Sequence, residues 1–190
     1  MNKVTEPIRS IKTINNLLNY FKGQSLRNYM IAKVQLNTAF RISDIVTLKV
    51  SDFYHQNGYA RESLTITSEK KTEKIRIVAI NQSLKTAIKD YIISEGLSYD
   101  DYLFQSRKGT NRPISTTQVH RIFQNAGEVL HLDNFGTHSL RKTWGYFAYQ
   151  KTKNIALIMK AYNHDSEEDT LKYIGIVQKD KDDLYKQINF

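Results

Sequence analysis

The chain contains no cysteine, which excludes disulfides, thiolate nucleophiles and cysteine-ligated zinc. Its 5 histidines are scattered, with no HExxH and no histidine pair backed by carboxylates, so neither a metal nor a cofactor is expected. Proline is scarce at 2, glycine modest at 8, and neither low-complexity runs nor solenoid-length repeats occur. No flexible linker divides the chain, and one domain is expected. No apolar run approaches the ~20 residues needed to span a bilayer. The opening stretch MNKVTEPIRSIKTINN also lacks the apolar core of a signal peptide. A soluble cytoplasmic protein is therefore expected. Acidic residues are outnumbered, 19 against 28 Lys and Arg, and the resulting +9 charge suits a surface that attracts polyanions, with nucleic acid as the leading partner.

What is present reads mainly as helix. Ile11, Ile14, Leu17, Leu18 and Phe21 recur at helical spacing between Ser10, a candidate N-cap, and Gly23, a candidate stop. A more apolar helix follows Ser25 through Tyr29, Met30, Val34 and Leu36, and Ser43 is placed to cap a short third one. The pattern then changes to period two. Leu64 and Ile66, and beyond SEKKTEK the residues Ile75, Ile77 and Ala79, alternate with polar residues as in a β-hairpin with a basic tip. Helices are expected again over residues 83–94, 116–129, 138–150, 154–162 and 167–176.

Four stretches carry residues suited to phosphate chemistry. In GTHSLRKT, His138 and Arg141 are three apart at a helix start, where an arginine fork, a helix N-terminus and an imidazole can hold a phosphate together. In FRISD, Arg41 precedes the helix containing Asp44, whose carboxylate can reach back to orient the guanidinium. Lys70, Lys71 and Lys74 crowd the hairpin tip. Tyr173 in TLKYIGI lies about 100° round its helix from its chain neighbours, away from the side that Leu171 and Ile174 hold to the core. A phenol with a reference pKa near 10 is only about a thousandth ionised at neutral pH, so a nucleophilic tyrosine needs cationic neighbours or a base. Arg41, Arg141 and His164 supply them only if they converge, and spacing does not establish that. Each stretch alone is equally compatible with a surface pair, a salt bridge or a solvated turn.

Read in order, NTAFRISDIVTLKVSDF, SEKKTEKIRIVAIN, GTHSLRKTWGYFAYQ and NHDSEEDTLKYIGI resemble the successive boxes of the tyrosine recombinase, or phage integrase, catalytic domain, over residues 10–178. The resemblance implies an α+β, mainly α fold with a small antiparallel β-sheet over residues 1–178, followed by a tail over residues 179–190. Arg41 matches the family's first arginine and Asp44 the acidic residue supporting it. His138 and Arg141 match the HxxR pair, His164 takes the later histidine or tryptophan position, and Tyr173 is the expected nucleophile. KKTEK resembles the family's lysine-bearing turn, which favours Lys71 with Lys70 as the competing choice. Asn163 stands where glycine commonly precedes the second histidine, a mild change because asparagine tolerates left-handed backbone.

The implied reaction has the two arginines clamp a scissile phosphodiester while Tyr173 attacks, the hairpin lysine protonates the departing 5′-oxygen, and His138 relays the phenolic proton. Lys70, Lys74, Arg107, Lys108, Arg112, Arg121 and Lys142 are expected to contact DNA phosphates. On the helix from residue 116, Thr117, His120 and Gln124 join Arg121 on the face left free to approach DNA. The partners implied are double-stranded DNA and further copies of the chain, a tetramer on DNA and a monomer or dimer when free. Leu184 and Ile188 would dock the tail on a neighbouring protomer. Only 40 residues precede Arg41, so the helical core-binding domain usual in relatives is expected to be missing. A catalytically degenerate DNA-binding regulator is the alternative reading. DNA relaxation in the manner of type IB topoisomerases would share the chemistry without a partner protomer.

Overall fold

Helix α1, Ile11–Gln24, begins where the Thr13 N–H donates to Ser10 Oγ at 3.3 Å, and it buries Ile14, Leu17 and Phe21 along one stripe. The computed structural model describes residues 4–67, 75–176 and 185–188, so Lys70, Lys71 and Lys74 of the hairpin tip and Leu184 of the tail lie outside the described residues. Gly23 falls inside α1 and does not stop it; the break comes at Ser25, whose extended backbone starts α2, Leu26–Thr38. α2 is central. It packs against α1, and later in the chain against α4 (Gln82–Glu95) and α6 (Ser139–Thr152).

Within α2 the buried Gln35 amide donates to the carbonyls of Phe40, at 3.3 Å, and Thr137, at 2.8 Å. One side chain thereby joins the segment before Arg41 to the segment before His138. Ala39 ends α2 in left-handed backbone at φ 54. The short α3, Ile42–Ile45, follows. Its cap is not Ser43: the Arg41 N–H donates to the Asp44 carboxylate at 3.3 Å, and Ser43 donates to the same carboxylate at 3.4 Å.

Strands β1, Ser63–Thr67, and β2, Ile75–Ala79, pair antiparallel with Leu64 opposite Val78 and Ile66 opposite Arg76. This register corrects the expected apolar face of β2. Ile75 and Ile77 are 65% and 70% exposed, while Arg76 and Val78 turn toward the body of the protein. Because the side-chain period of a strand is two, pairing Val78 with the fully buried Leu64 commits Arg76 to the inner face.

The remaining helices follow the expected order. Asn81 caps α4, Ser115 caps α5 (Thr116–Val129), Asn154 caps α7 (Ile155–Tyr162) and Ser166 caps α8 (Glu167–Tyr173). On α5, Val119, Phe123 and Ala126 are fully buried while Thr117, His120, Arg121 and Gln124 face solvent, as expected. α8 ends at Tyr173, short of the expected residue 176, because Gly175 takes left-handed backbone at φ 78. Asn163 does adopt the left-handed conformation, at φ 58. The main core is built around α1, α2, α4 and α5. A smaller second cluster of Ala39, Ile158, Tyr162 and Ile174, with Trp144 packed on it, seats α7 and α8 on α6. No helix among the described residues is long and apolar enough to cross a membrane.

Candidate active site

Arg141 lies between the two clusters, 1% exposed, and its partners are carbonyls together with the Tyr173 phenol. Nη1 donates to Ala39 O, Nη2 donates to Tyr162 O at 3.4 Å, and the guanidinium carbon sits 4.5 Å from the centre of the Tyr162 ring. The Tyr162 hydroxyl in turn donates to the Arg141 carbonyl at 2.6 Å. Among the described residues no carboxylate pairs with Arg141. Burial lowers its pKa, Arg41 adds to that, and the phenols of Tyr173 and Tyr162 oppose it. A buried cation without an anionic partner is costly, and a phosphate would relieve that cost.

Tyr173 is half-buried at the C-terminal end of α8. Its ring meets His164 edge-on, with centroids 5.1 Å apart, and Tyr162 at 5.3 Å, while Lys142 Nζ lies 5.0 Å from its centre. His164 Nδ1 is 3.1 Å from Thr170 Oγ1, and that hydroxyl donates to Ser166 O at 2.7 Å. The hydroxyl proton is thus committed, so neutral His164 carries its own proton on Nδ1 and leaves Nε2 as an acceptor. Partial burial lowers the His164 pKa, with Arg141 and Arg41 adding to the effect.

Arg41 completes the group, since its charge acts on Arg141, His138 and His164. Asp44 does not form the expected ion pair with it among the described residues; the carboxylate is spent on the Arg41 backbone N–H, and so orients the residue through its main chain. His138 stands at the N-cap of α6 with an open edge to solvent, and Thr137 Oγ1 beside it lies 3.1 Å from His120 Nδ1. Neighbouring atoms partly desolvate the His138 ring and lower its pKa, and Arg141, His120, Lys142 and Arg41 add to that. A groove of about 880 Å³ runs from His138 along His120 and Gln124.

Lys142 departs from its expected role. It is 8% exposed and donates to Thr5 O at 2.6 Å, because the residue after an inward-facing arginine on α6 meets the N-terminal segment instead of solvent. That segment straps the site from behind. The Ile8 N–H donates to Thr143 Oγ1 at 2.8 Å, Arg9 donates to Gly175 O at 2.5 Å, and Pro7 packs on Gly175 just beyond Tyr173. Arg107, Lys108 and Arg112 are exposed on the 105–115 loop, and Arg121 is exposed on α5. These four remain accessible to a polyanion, but their structure joins none of them to the Arg41–Arg141 group.

Sequence reasoning missed Gly145 and Arg76. A methyl group at Gly145 would collide with the Tyr162 hydroxyl and lie 2.6 Å from Ile174 Cγ2, so glycine here lets α7 and α8 close on α6. Gly145→Ala is expected to lower stability by the ~1–3 kcal/mol typical of overpacking, despite alanine's better helix propensity. Denaturant unfolding checks this, and a stabilised variant would contradict it. For Arg76 the only signal was its place in the alternation of β2, readable once the register is known.

The sequence matches the Phage integrase family over residues 9–179. It is 39% identical over 183 residues to the probable integrase/recombinase YoeC of Bacillus subtilis (strain 168), spanning 96% of each chain. It is 28% identical over 177 residues to the tyrosine recombinase XerH of Campylobacter jejuni, covering 86% of this chain and 48% of that one. Among solved structures, XerA recombinase superposes with a TM-score of 0.76 at 22% identity, over 97% of this chain and 67% of that one. The catalytic domain of bacteriophage HP1 integrase superposes at 0.60 and 18% identity, over 95% and 94%. These matches and the shared fold show that the chain belongs to the phage integrase, or tyrosine recombinase, family.

Proposed function

We propose that the protein cuts and rejoins DNA as a site-specific recombinase, performing integration, excision or inversion through a 3′-phosphotyrosyl intermediate. The observation that carries this reading is Arg141, buried with no carboxylate partner among the described residues, beside Arg41 and the Tyr173 phenol. Solved structures of a XerH site-specific recombinase that share this fold are pre-cleavage and post-cleavage complexes with difH substrate.

In the proposed reaction Arg41 and Arg141 bind the non-bridging oxygens and stabilise the charge that develops at phosphorus. The Tyr173 oxygen forms the new bond to phosphorus, its proton passes to His138, and the bond to the 5′-oxygen breaks. Lys71, or Lys70, protonates that oxygen. Attack by another strand's 5′-hydroxyl reverses the sequence and rejoins DNA. The guanidinium groups supply the electrostatics, so the reaction is expected to proceed in excess chelator. His164, an acceptor at Nε2 when neutral, must gain a proton there to donate to a phosphate oxygen, and the bound anion favours that gain. Arg107, Lys108, Arg112 and Arg121 hold flanking phosphates, and further copies of the chain assemble on the DNA, with four as the working number.

The test incubates the protein with nicked suicide duplexes carrying a candidate attachment site. A denaturation-resistant adduct is the expected result. Salt-sensitive binding without adduct across a library of sites would favour the regulator instead.

The pH dependence has a defined sign. His138 must be neutral to accept the phenolic proton, and its pKa is lowered. The acid limb of kcat/KM for cleavage, which reports the DNA-free protein, is therefore expected below the ordinary imidazole value of about 6.5. His138→Gln should remove that limb and slow cleavage by the ~10² to 10⁴ typical of an acid–base group. Stability follows the same direction. With His138 and His164 both lowered, the unfolded chain takes up protons first on acidification, so their contribution is full above about 6.5 and declines below it.

A further inference from the structure

Tyr173 is the last residue of α8, a helix of only seven residues. Isolated helices shorter than ~12–15 residues are marginal in water, so the place of this phenol depends on contacts made from outside its own helix. Ile174 is buried in the second cluster, and the phenol bonds to Arg141. Beyond them the chain leaves the helix through Gly175. The Gly175 N–H donates to Lys172 O at 3.2 Å and the Ile176 N–H to Leu171 O at 2.9 Å, which closes the last turn.

The segment 5–9 arrives at that turn. Arg9 is exposed and donates to the Gly175 carbonyl at 2.5 Å, while its guanidinium carbon lies 5.4 Å from the centre of the Tyr146 ring on α6. Gly175 holds φ 78, and a methyl group on it would lie 2.8 Å from Pro7 Cγ, so both the backbone conformation and the close approach call for glycine. Thr5 O receives the Lys142 ammonium, which in turn lies 5.0 Å from the centre of the Tyr173 ring.

The segment is fastened elsewhere without Arg9. The Glu6 N–H donates to Asn134 O at 2.9 Å, ahead of α6, and the Ile8 N–H to Thr143 Oγ1 at 2.8 Å, within it. What Arg9 adds is a bond across 166 positions to the residue two beyond Tyr173. A cation there meets carbonyls that a helix end leaves without intrahelical donors.

We propose that Arg9 is a positioning residue that pins the last turn of α8 to α6 and so holds the Tyr173 hydroxyl at Arg141 for attack. The proposal rests on the reading of Tyr173 as the nucleophile. Arg9 acts through the Gly175 carbonyl and touches neither the phenol nor the scissile phosphate.

Wild type, Arg9→Ala and Arg9→Lys are compared free and on the nicked suicide duplex. In the free protein, amide hydrogen exchange at Gly175 and Ile176 is expected to speed up roughly tenfold in Arg9→Ala, with the α6 amides unchanged; tenfold corresponds to about 1.4 kcal/mol, the scale of one hydrogen bond. Arg9→Lys can still donate to the carbonyl and should stay within about threefold of wild type. At saturating duplex, adduct formation is expected to slow by a similar factor in Arg9→Ala and to recover in Arg9→Lys, while the DNA dissociation constant and the melting temperature stay close to wild type. Unchanged exchange at Gly175 and Ile176 would overturn the positioning role, as would faster exchange beside an unchanged rate of adduct formation. A salt slope of binding lowered by about 0.9 in Arg9→Ala would make Arg9 a phosphate contact and overturn it equally. If wild type forms no adduct on any duplex, the recombinase reading fails, and exchange at Gly175 and Ile176 still decides whether Arg9 holds the turn.

Discussion

Tyr173→Phe is expected to abolish the denaturation-resistant protein–DNA adduct while leaving the fold and DNA binding close to wild type. The phenylalanine ring keeps the contacts with His164 at 5.1 Å, Tyr162 at 5.3 Å and Lys142 at 5.0 Å, so only the hydroxyl is lost. The hydroxyl's bond to the Arg141 side chain goes with it, so the stability change should stay within the ~1.5–3 kcal/mol of a hydrogen bond to a charged group. The binding constant and its salt slope report phosphate neutralisation by Lys and Arg, and both should be unchanged. Gel separation after denaturation reads the adduct, and a salt titration reads the binding. An adduct that persists in the variant would remove Tyr173 as the nucleophile.

At Arg141 activity and stability are expected to part company. Arg141→Lys keeps a positive charge, but one ammonium cannot donate to Ala39 and Tyr162, stack on the Tyr162 ring and fork a phosphate together. Cleavage should fall by at least the ~10²–10³ seen when one preorganised transition-state donor is lost. Arg141→Met fills much of the same volume without a charge. It leaves the Ala39 and Tyr162 carbonyls without this donor, at about 1–3 kcal/mol for each buried group left unpaired. Against that stands the relief of a buried cation with no carboxylate partner among the described residues. The two effects oppose, so the melting temperature should move little while cleavage disappears. Thermal unfolding beside single-turnover cleavage decides this. A collapse in melting temperature for Arg141→Met would make the residue structural first.

Much of the architecture was legible because helices announce themselves locally. Ser10, Ser115, Asn154 and Ser166 each precede a helix and accept a backbone N–H from its first turn, and Asn163 takes the left-handed backbone its side chain tolerates. The misreadings arose where the deciding partner is remote in sequence. Gly23 is a weak helix former but not a stop unless the chain must turn there. Ser43 is a good cap by type, yet Asp44 competes for the same turn and holds the Arg41 N–H. Lys142 looked like a phosphate ligand because it adjoins the HxxR pair, and the strap at Thr5 that receives its ammonium lies 137 positions away.

By itself the sequence determined the helical framework, the basic character and the order of the boxes that bear Arg41, His138, Arg141, His164 and Tyr173, since propensity, charge and motif are properties of short stretches. Only the tertiary structure decided that these side chains share one cluster, that Arg141 is buried with no acidic partner among the described residues, and that Arg76 joins it from β2. The physical reason is that convergence depends on close approach between distant segments. Gly145 admits α7 and α8 against α6, Gln35 bridges Phe40 to Thr137, and strand register selects which face of β2 turns inward. None of these is visible in any window of neighbouring residues.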